Sequence, residues 1–168
     1  MKRTPAPDPA VQTQFDFEPL GRGSIWLRPP RSHDADALFS RAVALEAGDV
    51  REALEVYGEA IAADPHHADA HVNRGRLLHQ LGHLREAETH YASALAARPT
   101  DCTALFNLAV VLEDQGRIDD AIARYLEALD LDGACIDAHF NLARLYEKKG
   151  EKMSAIRHLK DYRRLVEK

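Results

Sequence analysis

No run of apolar residues comes near the roughly 18 that a bilayer-crossing helix needs, so no membrane span is read here. Cysteine is scarce. Cys102 and Cys135 stand far apart and outside any CxxC, which gives no disulfide framework and suits a reducing cytoplasm. Behind Met1-Lys2-Arg3-Thr4-Pro5 there is charge but no apolar stretch, so no secretory signal is expected. Catalytic motifs are missing too: there is no P-loop, no GxSxG and no HExxH. Gly21-Arg22-Gly23-Ser24 is too short for a phosphate loop. Neither an enzyme nor a cofactor is expected. Proline is sparse after residue 30: six of the eight prolines lie in residues 1–30, which sets a boundary near Arg31–Asp34.

A broad basic face is also lacking. Residues 34–147 carry nine basic and twenty-one acidic side chains, and only residues 148–168 turn basic, with eight against three. Non-specific nucleic-acid binding needs the opposite balance, so direct nucleic-acid contact is not expected. The basic last segment reads as the solvated outer surface of a helix.

What the chain does contain is repetition. Gly48, Gly82, Gly116 and Gly150 recur every 34 residues, as do Ala53, Ala87, Ala121 and Ala155. Tyr57, Tyr91, Tyr125 and Leu159 follow, then Ala60, Ala94, Ala128 and Tyr162. Pro65 and Pro99 keep the same interval and stop helices. Each Gly closes the first helix of a pair, where a left-handed residue is cheapest. Ala42, Gly75, Ala109 and Ala143 face the second-helix alanines, and small against small lets two axes approach to about 8 Å. The first unit fits once its inter-helix turn is one residue shorter. Then Ala37, Ala70, Ala104 and Ala138 align.

These columns resemble the tetratricopeptide repeat (TPR) family over about residues 35–167. The resemblance implies an all-α right-handed superhelix, a solenoid of four helical hairpins, with repeats at about 35–67, 68–101, 102–135 and 136–168. First helices are expected at about 35–47, 68–81, 102–115 and 136–149. Second helices are expected at about 50–63, 84–97, 118–131 and 152–167. Gly133 makes a softer stop in the third unit. In the fourth, Tyr162 replaces the small residue and covers the exposed end, which reads as a basic cap closing the array. Residues 1–33 form a Pro-rich irregular arm, with Phe15, Phe17, Ile25, Trp26 and Leu27 as its apolar content.

The same resemblance implies a protein–protein interaction module, an adaptor or scaffold whose first helices line a concave groove. Ser40, Asn73, Asn107 and Asn141 form one column there. An Asn amide offers donor and acceptor together and matches a peptide group of any residue. First helices about 10 Å apart and a peptide rise of about 3.3 Å per residue place one amide at roughly every third peptide residue. This resembles the asparagine ladder in the TPR region of O-linked N-acetylglucosamine transferase; the competing reading has these amides bonded within the array. Phe106 and Phe140 are candidate peptide anchors, or else pack between first helices. Arg76 and Arg144 are candidate peptide contacts as well, and Glu113 and Glu147, with Asp114, favour a basic ligand unless they pair with those arginines. A carboxylate clamp of the chaperone-binding kind, built from Lys, Arg and Asn, is not expected: Asn73 matches one of its positions, but the others hold Leu38, Val43, Thr103 and Asn107, with no Lys or Arg.

Two further features stand apart. Gln14-Phe15-Asp16-Phe17-Glu18-Pro19 resembles the connector between a MerR-like head and a TPR array, which leaves the alternative of an accessory part of a bacterial transcription regulator without its own DNA-binding head. His66, His67, His71, His79, His83 and His90 are concentrated in one region. They read as exposed polar residues on turns and helix ends, since no third ligand stands beside the i, i+4 pair His67 and His71 and no metal is expected. The expected partner is a protein or peptide, and the chain itself a monomer or weak dimer.

Overall fold

Three of the helices start where a side chain satisfies an end group. Asp49 and Asp101 each accept a backbone N–H three residues on, from Glu52 and Ala104, at 2.9 Å. His67 does the same for Ala70 through Nδ1 at 3.2 Å. At three of the inter-helix turns a glycine takes the left-handed conformation: Gly82, Gly116 and Gly150 have φ of 80°, 78° and 77°. The residue after each returns its N–H to a carbonyl of the helix just ended, as from His83 to Leu78 at 2.9 Å. Gly48 departs from the expectation. Counted between equivalent columns its turn is one residue shorter, with Leu45 five residues before Val50 where Leu78 is six before Leu84; its φ is not positive, and both Gly48 and Asp49 donate to the Leu45 carbonyl.

The computed structural model describes residues 33–167. Among these residues the chain forms four hairpins: α1 (His33–Leu45) with α2 (Val50–Ala63), α3 (Ala68–Gln80) with α4 (Leu84–Ala97), α5 (Cys102–Asp114) with α6 (Ile118–Leu131), and α7 (Ile136–Lys148) with α8 (Lys152–Val166). The Pro-rich arm expected over residues 1–33 lies outside the described residues except for His33, with which α1 opens. Each first helix packs on its own second helix, and each later first helix also packs on the second helix of the unit before it. None of these helices is long and apolar enough to cross a membrane.

Burial follows the columns. Ala42, Ala53, Ala87, Ala109 and Ala121 are fully enclosed where the two helices of a hairpin cross. Gly75 has the tightest version of this contact: a Cβ there would sit 3.0 Å from the Tyr91 ring. Tyr57, Tyr91 and Tyr125 are the largest fully buried side chains. Ala70, Ala104 and Ala138 are enclosed in the same way, and Leu77, Val111 and Leu145 share the core with them.

The fourth unit is less closed than expected. Tyr162 is half-buried and tilts against Phe140, with ring centroids 5.5 Å apart. Ile156 and Leu159 nevertheless remain 47% and 38% exposed, so the cap is partial. Where the contact is complete, an enlarged side chain has nowhere to go. Ala87→Leu should lower unfolding stability by about 1–3 kcal/mol through overpacking, measured by the shift in urea midpoint.

Candidate interaction face on the first helices

The asparagine column sits on the first helices within reach of the tyrosine column of the preceding unit. Asn73 Nδ2 donates to the Tyr57 hydroxyl at 3.0 Å, and Asn141 Nδ2 to the Tyr125 hydroxyl at 3.0 Å. Tyr57 in turn donates to Glu46 Oε1 at 2.5 Å, and Glu46 Oε2 takes the Arg76 guanidinium. One connected network thus ties α1, α2 and α3. Burial first, then the Glu46 bond, raises the Tyr57 phenol above its ordinary value, which keeps it a donor. Burial raises Tyr125 as well. Asn107 makes no side-chain hydrogen bond among the described residues. Each bonded amide still keeps its oxygen and a second N–H.

Charges along this face are paired between units. Arg76 meets Glu46, His79 Nε2 meets Asp114 at 2.6 Å, and Arg144 meets Glu113 at 2.5 Å. The Glu113 side chain is only 12% exposed. Glu147 is exposed and has no ion-pair partner among the described residues. The two aromatic candidates differ. Phe106 is half-buried with its ring edge toward Tyr125 at 5.5 Å, so it serves the unit joint. Phe140 is 47% exposed and keeps a face open.

The histidines overturn one expectation. His71 is buried, not exposed, and its Nδ1 lies 3.0 Å from His90 Nδ1. Its Nε2 lies 3.2 Å from the Pro65 carbonyl, which can only accept. In the neutral rings His71 therefore carries its proton on Nε2 and accepts from His90 Nδ1–H. The pair recurs two units on: His139 and His158 have Nδ1 atoms 3.1 Å apart, and His139 Nε2 meets the Gly133 carbonyl at 3.3 Å. The doubled interval was visible in the sequence; the burial was not. Burial lowers His71 and His158, and burial with the nearby Arg74 and His71 lowers His90 to about 4. No group of three or more His, Cys, Asp or Glu is placed to hold a metal among the described residues.

Stacked helical hairpins with a continuous core and extended lateral faces define a solenoid of the kind that binds other chains. Residues 44–111 match the family described as Tetratricopeptide repeat and residues 112–150 the one described as TPR repeat, without a gap and over more than half of the chain. The chain belongs to the tetratricopeptide repeat family, a class of interaction scaffolds. Solved structures of MamA have the same fold. One is 21% identical with a TM-score of 0.76, covering 80% of this chain and 79% of that one. MamA from residue 41 onward, of Desulfovibrio magneticus RS-1, is 24% identical with a TM-score of 0.73, covering 80% and 76%. MamA of AMB-1 is 26% identical with a TM-score of 0.71, covering 80% of each. No curated protein matches the chain at a significant level.

Tyr57→Phe and Tyr125→Phe should each cost about 1 kcal/mol, because each leaves an Asn amide without its acceptor. Tyr91→Phe, whose hydroxyl bonds no side chain among the described residues, should be nearly neutral; urea titration of the three variants separates them. The histidine pairs set a pH dependence. A depressed ring stays neutral in the fold while the unfolded chain takes up protons near 6.5, so its stabilisation is complete above that value and fades as pH falls toward about 4. The urea midpoint should drop between pH 7 and pH 5, and drop less in His71→Leu/His90→Leu.

Proposed function

We infer that this chain is an adaptor that holds an extended peptide, or an extended segment of a partner protein, along the concave groove of its first helices. The supporting observation is the asparagine column. Asn73 and Asn141 are half-buried and oriented by tyrosine hydroxyls, yet each keeps an acceptor and a donor for a ligand. An amide fixed before binding loses less side-chain entropy on contact. Asn107, between them, has both groups free of side-chain partners. Phe140 adds an exposed ring at one end of the ladder. The charged side chains Arg76, Arg144 and Glu113 act here as organisers: their charge is spent within the array, so the ligand is recognised through its backbone.

The test is an affinity pull-down comparing wild type, Asn73→Ala/Asn107→Ala/Asn141→Ala and Tyr57→Phe/Tyr125→Phe, each checked for helicity. The groove reading expects a partner retained by wild type, lost from the triple variant, and weakened only modestly by the tyrosine double variant. The same partner surviving the triple variant unchanged would make the column structural.

A further inference from the structure

At the end of the array the last hairpin leaves an open cleft of about 530 Å³, lined by Phe140, Ala143 and Arg144 of α7 and by Lys152, Ile156 and Leu159 of α8, among others. Its floor is an inter-unit joint with no helix on it. One interval earlier, Tyr125 is 0% and Ile122 7% exposed beneath α7; their equivalents Leu159 and Ile156 are 38% and 47% exposed. Nothing among the described residues covers them.

The flanks of this floor have changed chemistry. Val50, Leu84 and Ile118 share a column with Lys152; Ile61, Leu95 and Leu129 share one with Arg163. In the first three units those six side chains are half-buried and apolar. In the fourth both positions are cations, and neither has an ion pair among the described residues. Arg144 is already held by Glu113, and Glu147 is the one carboxylate on the lining. Tyr162 fills the place where Ala60, Ala94 and Ala128 admit the next helix closely. An occupant must therefore seat side chains in the cleft rather than lie flush as α3, α5 and α7 do.

We propose that this end face docks an acidic amphipathic helix of a partner protein, with apolar side chains on Ile156, Leu159 and Phe140 and carboxylates reaching Lys152 and Arg163. Those two cations are eleven residues apart on α8, roughly 16 Å at 1.5 Å per residue. The complementary helix thus carries carboxylates about three turns apart on either side of its apolar centre. The first helix of a second copy fits poorly. The column that buries Leu77, Val111 and Leu145 in later units holds only the exposed Ala44 in α1. The face shares Phe140 with the groove but does not use the asparagine column, so variants of that column and of α8 tell the two apart.

The probe is a fluorescein-labelled synthetic helix of about 16 residues with leucines on one face and glutamates at both ends, beside a twin carrying lysine for every glutamate. Anisotropy titrations at low salt should show the acidic peptide binding wild type at least tenfold more tightly than its twin. Lys152→Glu/Arg163→Glu should weaken it at least tenfold, Ile156→Ser/Leu159→Ser should abolish saturation, and Asn107→Ala should change nothing. All four altered side chains are exposed, so the variants should keep wild-type helicity by circular dichroism. Equal binding of both peptides, or indifference to the α8 variants, overturns the proposal. So does loss on Asn107→Ala alone, which would place the peptide on the first-helix face. Sedimentation of wild type as a dimer that Ile156→Ser/Leu159→Ser returns to monomer would make a second copy the occupant.

Discussion

Everything in this array depends on small side chains meeting where the two helices of a hairpin cross. Ala42, Ala109 and their partners Ala53 and Ala121 have no exposed surface, and the axes can close only because nothing larger stands between them. Close axes bring the tyrosines of the second helices to the joint with the next unit. Buried there, Tyr57 and Tyr125 present their hydroxyls to Asn73 and Asn141. The candidate binding residues are thus oriented by the same packing that makes the solenoid, and an enlarged alanine would disturb both at once.

The period of 34 made most of the fold legible before any coordinate was known. Helix limits fall within about two residues of the expectation, and the shorter first turn was required by the register alone. Gly48 shows the limit of column logic: it shares a column with Gly82 but not its conformation, because a turn one residue shorter closes onto the Leu45 carbonyl without a left-handed centre. The joints between units were harder to read. A repeat says which residues are equivalent, not which equivalents touch, so neither the Tyr57–Asn73 bond nor the Glu46–Arg76 pair follows from the columns alone.

A second period lies above the first. Leu38, Phe39, Val43 and Glu46 of the first unit return as Leu105, Phe106, Val110 and Glu113 of the third, while His71, Arg76 and His90 of the second return as His139, Arg144 and His158 of the fourth. Odd units supply the carboxylate and even units the arginine and the buried histidine pair. An interval of 34 alone does not show this alternation, and the histidines it sets on turns and helix ends include His71, which is buried. The joint between the second and third units, where neither Glu nor Arg falls in place, uses His79 and Asp114 instead.

The alternation also decides what kind of recognition each surface can support. Along the first helices polar pairs reach across every joint, two of them Arg–Glu; Glu147 stays exposed and unpaired among the described residues, and Glu113 is nearly enclosed. A ligand there meets amides and rings, and its affinity should depend little on ionic strength. At the end face the logic is reversed. Among the described residues no helix lies on the apolar floor and Lys152 and Arg163 have no ion-pair partners, and attraction of an acidic segment would be screened by salt within about 10 Å at 0.1 M. Salt dependence therefore distinguishes the two surfaces, because pairing between neighbouring units offsets charge along the first helices and not on this face.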